Sequence, residues 1–269
     1  MKVLSRTSIA SKMLVFFIVL FQLGWDNTFG QESSLYQYST FSALSGGLYD
    51  SPKSIANVIA NGDFGIGTFN ALDGELVMLN GKVYKAKADS LNGFQTEQVS
   101  ANEYSPFFEA VYFKADTVLM LKNALNLSTL DSIISAIVPS ANIMYAIKVT
   151  ANFDLLKCRS VRKQSKPYKK LIAAVKEQKI WNFKNTSATL VGFYMPEYMK
   201  DINVPGYHWH ALSSDYTKGG HLLDFQCQST SIEICFIRNF KLQLPSDSGF
   251  DKSTLKSSKQ ETDFIEKNK

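Results

Sequence analysis

Histidine is scarce in this chain: 269 residues contain three, His208, His210 and His221, all in one short stretch. Cysteine is equally scarce. Cys158, Cys227 and Cys235 are an odd set without paired close spacing, which excludes a thiolate zinc finger and a redox Cys-x-x-Cys motif. A Cys227–Cys235 disulfide would suit an exported protein, but the spacing fits buried small side chains better. After Phe21 no apolar run is long enough to span a bilayer. There is also no block of like charge. The formal net charge is +5, and the first thirty residues hold Lys2, Arg6 and Lys12 against Asp26. The rest is only mildly basic, which gives no reason to expect a nucleic-acid or anionic-membrane partner. Internal repeats and long Gly/Ser linkers are missing too. Gly65-Ile-Gly67 lacks the third glycine and the following helix of a phosphate loop, so nucleotide binding through it is excluded.

What is present begins with a leader. The basic residues up to Lys12 precede the apolar run Met13–Phe21, and Thr28 and Gly30 place small residues before Gln31. That pattern predicts a signal peptide over residues 1–30, cleaved near Gly30, and an exported protein with no membrane contact after cleavage. Residues 31–245 have the composition of one sizeable globular domain, with a subdomain boundary near 140–165 as the only candidate division. Residues 246–269 turn to Ser, Lys and Asp, a polar tail that need not fold by itself. Asn126-Leu-Ser and Asn185-Thr-Ser match the glycosylation pattern.

Between these ends the sequence alternates strand signals with few helical ones. Residues 36–50 read as a first strand running to a Gly-Gly turn. Ser51-Pro52 opens a short helix with Ile55, Val58 and Ile59 on its apolar face. Asp63–Tyr84 reads as strand and hairpin, with Asn80-Gly81 as a type I′ turn and Glu75 at a strand start. Residues 105–121 read as one aromatic and β-branched strand. Ser128 caps a helix closed by Pro139, residues 143–161 return to strand, and Pro167 opens a helix over 168–177. Thr189–Met195, Ser231–Ile237 and Phe240–Leu244 complete the strands. The class is α+β: β-rich, with intertwined mixed and antiparallel sheets and a few short helices.

The histidine window reads as a hairpin. In the strand Tyr207–Leu212, period-two geometry puts His208 and His210 on one face and Trp209 on the other. A polar connection ending in Gly219-Gly220 leads to a second strand from His221. If His221 pairs near His210, three imidazoles converge. That is a zinc site with a fourth position left for water or substrate, dipositive and suited to Lewis-acid chemistry.

Several separated motifs, in order, resemble the alpha-acetolactate decarboxylase family: Gly65-Ile-Gly-Thr-Phe-Asn-Ala-Leu-Asp-Gly-Glu75, Arg159-Ser-Val with Lys166-Pro-Tyr, and Gly206-Tyr-His-Trp-His with Gly-Gly-His221. The resemblance spans about Tyr36 to Pro245. It implies decarboxylation of 2-acetolactate to (R)-acetoin on Zn2+ held by His208, His210 and His221, through an enediolate protonated on carbon. It carries the catalytic carboxylate to Glu75, the active-site arginine to Arg159 and a substrate-lining threonine to Thr68. It also points to a tail carboxylate, Glu266, with Glu261 as competitor, which implies that the 246–269 tail folds over the active site. No organic cofactor is required, and the resemblance suggests a homodimer. Two other readings of the three histidines are an exported zinc-binding module without catalysis and a zinc lyase of the carbonic-anhydrase kind. Neither of them uses Glu75 and Arg159.

Overall fold

The structure, a computed structural model, describes residues 33–88, 93–256 and 258–267. The expected leader and its cleavage point near Gly30 lie outside them. In chain order the elements are β1 (Ser34–Tyr38), α1 (Phe41–Ser45), α2 (Ile55–Ile59), β2 (Phe64–Thr68), β3 (Glu75–Leu79), β4 (Lys82–Ala88), β5 (Phe94–Gln98), β6 (Phe107–Val111), β7 (Thr117–Leu121), α3 (Leu127–Ile137), β8 (Met144–Ser160), α4 (Leu171–Val175), β9 (Lys179–Met195), β10 (Gly206–Ser213), β11 (Gly219–Cys227), β12 (Thr230–Ile237), β13 (Asn239–Gln243), α5 (Ser248–Lys252) and α6 (Lys259–Lys267).

Seven strands form one sheet in the order β13-β1-β6-β2-β3-β4-β5, and six form another in the order β11-β10-β9-β8-β12-β7. The first sheet is mixed because β13 runs parallel to β1. Since β13 follows the whole second sheet in sequence, the sheets are intertwined, and the β-rich α+β expectation holds. The chain changes sheet between Val111 and Thr117, whereas residues 144–160, near the anticipated subdomain boundary, are one continuous strand. Leu35, Ile66 and Val77 of the first sheet meet Ala146, Val191, Phe193 and Leu212 of the second in an apolar layer. The strand β11 also pairs with the far half of β8, which closes β8, β9, β10 and β11 into a ring. The opposite face of this ring, with α3, buries Leu156, Leu190, Trp209 and Phe225.

Several boundaries differ from those read in the sequence, each for a local reason. The stretch 36–50 is not one strand: Ser39 adopts φ 66°, and the Thr40 hydroxyl accepts from the Ala43 amide to start α1. Residues 105–121 split into β6 and β7, one per sheet. The start of α2 is preceded by Ser54, not Ser51, and Ile59 is exposed while Ile55 and Val58 are buried. In α3 the cap is Asn126 rather than Ser128. Its Oδ1 accepts from the Thr129 amide and the Thr129 hydroxyl accepts in return, a reciprocal cap worth about 1 kcal/mol. The helix after Pro167 is only α4. The strand read from Thr189 begins ten residues earlier, at Lys179, and pairs with β8 along its length. All three cysteines are free and buried. The polar tail is folded, as α5 and α6, because Ile265 inserts into a cluster with Phe41, Leu72, Phe107 and Leu171.

Candidate active site

Strand register assembles the centre. His210 pairs with His221 across β10 and β11, and His221 pairs with Arg159 across β11 and β8, so three of the residues singled out in the sequence share one transverse row. His208 lies two residues along β10, on the same face as His210. Close packing fixes this register. A Cβ on Gly219 would sit 2.5 Å from the Ala211 carbonyl oxygen, and one on Gly220 (φ +136°) would sit 2.7 Å from that of Arg159. Trp209 points to the opposite face, where its indole N–H donates to Asp131 at 3.1 Å. It lies flat on Gly192, where a Cβ would come within 2.0 Å of its ring.

The three imidazoles present ligand nitrogens within 4.8 Å of one another, and all three residues are buried. The environment suits a cation held by neutral donors. Burial first, then the Arg159 charge, pushes the His208 pKa down to about 3, and burial holds His210 and His221 well below their ordinary value. Their lone pairs are therefore available at neutral pH. His210 Nδ1 lies 2.8 Å from the Leu76 carbonyl oxygen; a carbonyl can only accept, so Nδ1 carries the proton and Nε2 keeps its lone pair for a metal. Three neutral nitrogens, with space for a further ligand, match the donor set of a catalytic zinc, so these residues fit the ion.

Two carboxylates approach from different sheets. Glu75 opens β3 and is buried, not a solvated strand end. Its Oε1 is 3.6 Å from Arg159 Nη1 and its Oε2 is 3.6 Å from His210 Nε2. Burial raises its pKa to about 7 despite the opposing pull of Arg159, with Glu266 adding to the rise. Thr68 pairs with Glu75 across β2 and β3, and its hydroxyl donates to the Gly74 carbonyl at 2.9 Å, so it fastens the turn that delivers Glu75. That turn places Ala71 and Leu72 at φ 58° and 53°, a left-handed backbone costing roughly 1–2 kcal/mol per residue.

The tail supplies Glu266. Its Oε2 lies 3.4 Å from His208 Nε2 and 3.9 Å from His221 Nε2. Two contacts hold it there. Arg159 Nη2 donates to the Ile265 carbonyl at 2.8 Å, and His221 Nε2 is 3.1 Å from the Glu266 carbonyl. Glu261 does not line the cavity with the histidines and accepts from the Ser258 amide. The structure therefore gathers Glu75, Arg159, Glu266, Thr68 and the three histidines around one cavity. Sequence reasoning missed its apolar wall of Phe41, Leu44, Leu72, Phe107, Val161 and Leu171. These residues carry no signal to separate them from ordinary core. The orienting Leu76 carbonyl was equally invisible, because any residue could supply it. Arg159 lines this cavity, and its Nε is buried and makes no hydrogen bond.

Residues 35–257 match the profile of the alpha-acetolactate decarboxylase family. The chain is 40% identical over 227 residues to the alpha-acetolactate decarboxylase of Methanosarcina mazei, covering 84% of this chain and 77% of that one. It is 34% identical over 223 residues to that of Bacillus subtilis, covering 83% and 86%. A crystal structure of the Bacillus subtilis strain 168 protein superposes with a TM-score of 0.83 at 33% identity, over 87% of this chain and 99% of that one. A Staphylococcus aureus protein described as similar to alpha-acetolactate decarboxylase gives 0.79 at 26% identity, over 87% and 97%.

Proposed function

The chain belongs to the alpha-acetolactate decarboxylase family and is a carboxy-lyase, and we propose that it converts 2-acetolactate to (R)-acetoin at a zinc ion held by His208, His210 and His221. The observation that carries this reading is the shared row of His210, His221 and Arg159, with Glu75 within 3.6 Å of both Arg159 and His210. In the reaction the bond to the carboxylate carbon breaks, carbon dioxide leaves, and its electron pair moves into the neighbouring ketone. One proton is then added to carbon. When bound, zinc supplies a Lewis acid for the charge that develops on the substrate oxygens. Arg159, with its partnerless Nε–H, binds the substrate's anionic end through a planar fork of donors. Glu75, with a pKa near 7, can hold or release a proton at working pH, which suits protonation of carbon. Glu266 stands over the histidines from the tail and shares proton handling and substrate orientation with Glu75. Thr68 lines the cavity and fixes the Glu75 turn. The apolar wall receives the two methyl groups and excludes water.

Metal analysis coupled to activity tests this. The expected result is zinc in the purified chain, lost in His210→Ala but retained in Arg159→Ala, with Arg159→Ala activity down by orders of magnitude. Zinc-loaded Arg159→Ala with near-parental activity would leave only a metal-binding module. The proposal includes export after cleavage near Gly30, supported by the leader pattern and checked by N-terminal sequencing of the secreted protein. It includes a homodimer as well, checked by light scattering.

A further inference from the structure

Outside the site lies a second buried polar cluster that the chemistry above does not use. Gln37 on β1, Glu109 on β6 and Asn203 in the loop before β10 are each 0% exposed. Gln37 and Glu109 are cross-strand partners. The Asn203 amide donates to Glu109 Oε2 at 2.7 Å and to Gln37 Oε1 at 2.7 Å, which uses both its hydrogens. Its oxygen accepts from the Val204 amide at 2.6 Å. Gln37 in turn donates to the carbonyls of Ser39 at 2.8 Å and Ile202 at 2.7 Å. Every amide hydrogen in the cluster is thus committed.

The clamped loop connects several pieces of the cavity. The carbonyls of Ile202 and Asp201 accept from the Phe41 and Ser42 amides at 2.8 and 3.1 Å, which seats the start of α1. Phe41 and Leu44 of α1 wall the cavity, and Phe107, two residues before Glu109 on β6, does so too. Val204 packs in the same cluster as these three, and the chain then runs through Gly206 directly into His208. One network therefore sets α1, β6 and the histidine strand relative to one another.

It does so at a cost. Glu109 Oε1 is buried and makes no hydrogen bond. A carboxylate here would be an uncompensated charge. Burial pushes the pKa up to about 8, with the Asn203 hydrogen bond opposing and Glu266 reinforcing, so the group is neutral below that. If anchoring were the whole role, apolar side chains of similar volume in place of Glu109 and Asn203 together would serve as well or better. We propose that Glu109 and Asn203 are positioning residues for the decarboxylation, fixing the cavity wall against the histidine strand through a polar link of set length. This rests on the function proposed above.

Glu109→Met, Glu109→Gln and Asn203→Ser, each as full-length zinc-loaded enzyme, test it. Glu109→Met leaves one Asn203 amide hydrogen without its acceptor, so it is expected to melt below the parent yet to fold and keep its zinc, and to lose roughly tenfold or more in kcat with KM little changed, as a misplaced wall would cause. Glu109→Gln, which keeps the acceptor for Asn203, is expected to stay within about threefold of the parent, and Asn203→Ser to fall like Glu109→Met. A folded Glu109→Met with parental kcat would overturn the proposal. Should that variant not fold, parental kcat in Asn203→Ser would overturn it equally. A parent enzyme that fails to accelerate acetolactate loss would instead overturn the functional reading beneath it.

Discussion

At the scale of single residues, the site depends on which carboxylates and cations the fold removes from water. Glu75 and Glu266 are each 8% exposed, while Glu261 is half-buried outside the histidine cavity. Glu266→Gln is therefore expected to lower kcat by about 10²–10⁴-fold, the usual worth of a placed acid or base, whereas Glu261→Gln leaves it within twofold. Steady-state kinetics on both variants checks this; equal losses would place the tail wrongly. The histidines were legible because a strand's two-residue period is a strong constraint and the chain has no others to confuse them. The hairpin ending in Gly219-Gly220 made the pairing of His210 with His221 a condition of their convergence, and the strand register meets it. Arg159 was not legible as their neighbour from the residues alone, since its register with His221 crosses from β8 to β11. It and Glu266 came from the resemblance, and the buried Glu109 was missed because nothing in Phe-Phe-Glu-Ala-Val marks a carboxylate facing inward.

At the scale of elements, the strand β10 is held on both faces. Gly192 on β9 must stay small beneath Trp209, so Gly192→Ala is expected to cost about 1–3 kcal/mol, read as a fall in urea midpoint with an unchanged slope. A cost near zero would show that the indole has room to move. The tail makes a complementary test. Both sheets are complete without it, so a chain ending at Lys252 should keep its circular dichroism and lose nearly all activity with Glu266. Strands with clean apolar patterns, such as β3 and β12, were read correctly. The first third of β9, Lys179–Lys184, was not, because Ile180, Trp181 and Phe183 do not alternate cleanly with the polar residues and the strand is defined by pairing with β8. The tail helix was missed for a similar reason: Ile265, with Phe264 beside it, orders a segment whose composition is mostly polar.

At the scale of the whole molecule, opposing buried titrations set a pH optimum for stability. The three imidazoles have depressed pKa values, so the stability they hold is present above their ordinary value of 6.5 and is lost as pH falls below it, when only the unfolded chain takes up protons. Glu75 and Glu109 have raised values, about 7 and about 8 against 4.5 when unfolded. Their contribution is full below 4.5 and declines as pH rises towards those values. Below about pH 6 the three imidazoles outnumber the two carboxyls, and above about pH 6.5 only the carboxyls act. The metal-free protein should therefore be most stable near pH 6, by denaturant melts across pH 4–9. A monotonic rise through pH 8 would mean that the two acids are solvated.

The central claim is that these residues form one zinc-dependent decarboxylase, and one measurement bears on it most directly. Acetoin formed from racemic acetolactate should be followed by rate and optical purity together, before chelation, after it, and after zinc return. Spontaneous loss of carbon dioxide gives racemic product, so purity separates enzyme from background. The account predicts rapid, nearly pure (R)-acetoin that disappears on chelation and returns with zinc. Zinc bound by all three histidines with only slow, racemic acetoin would contradict it.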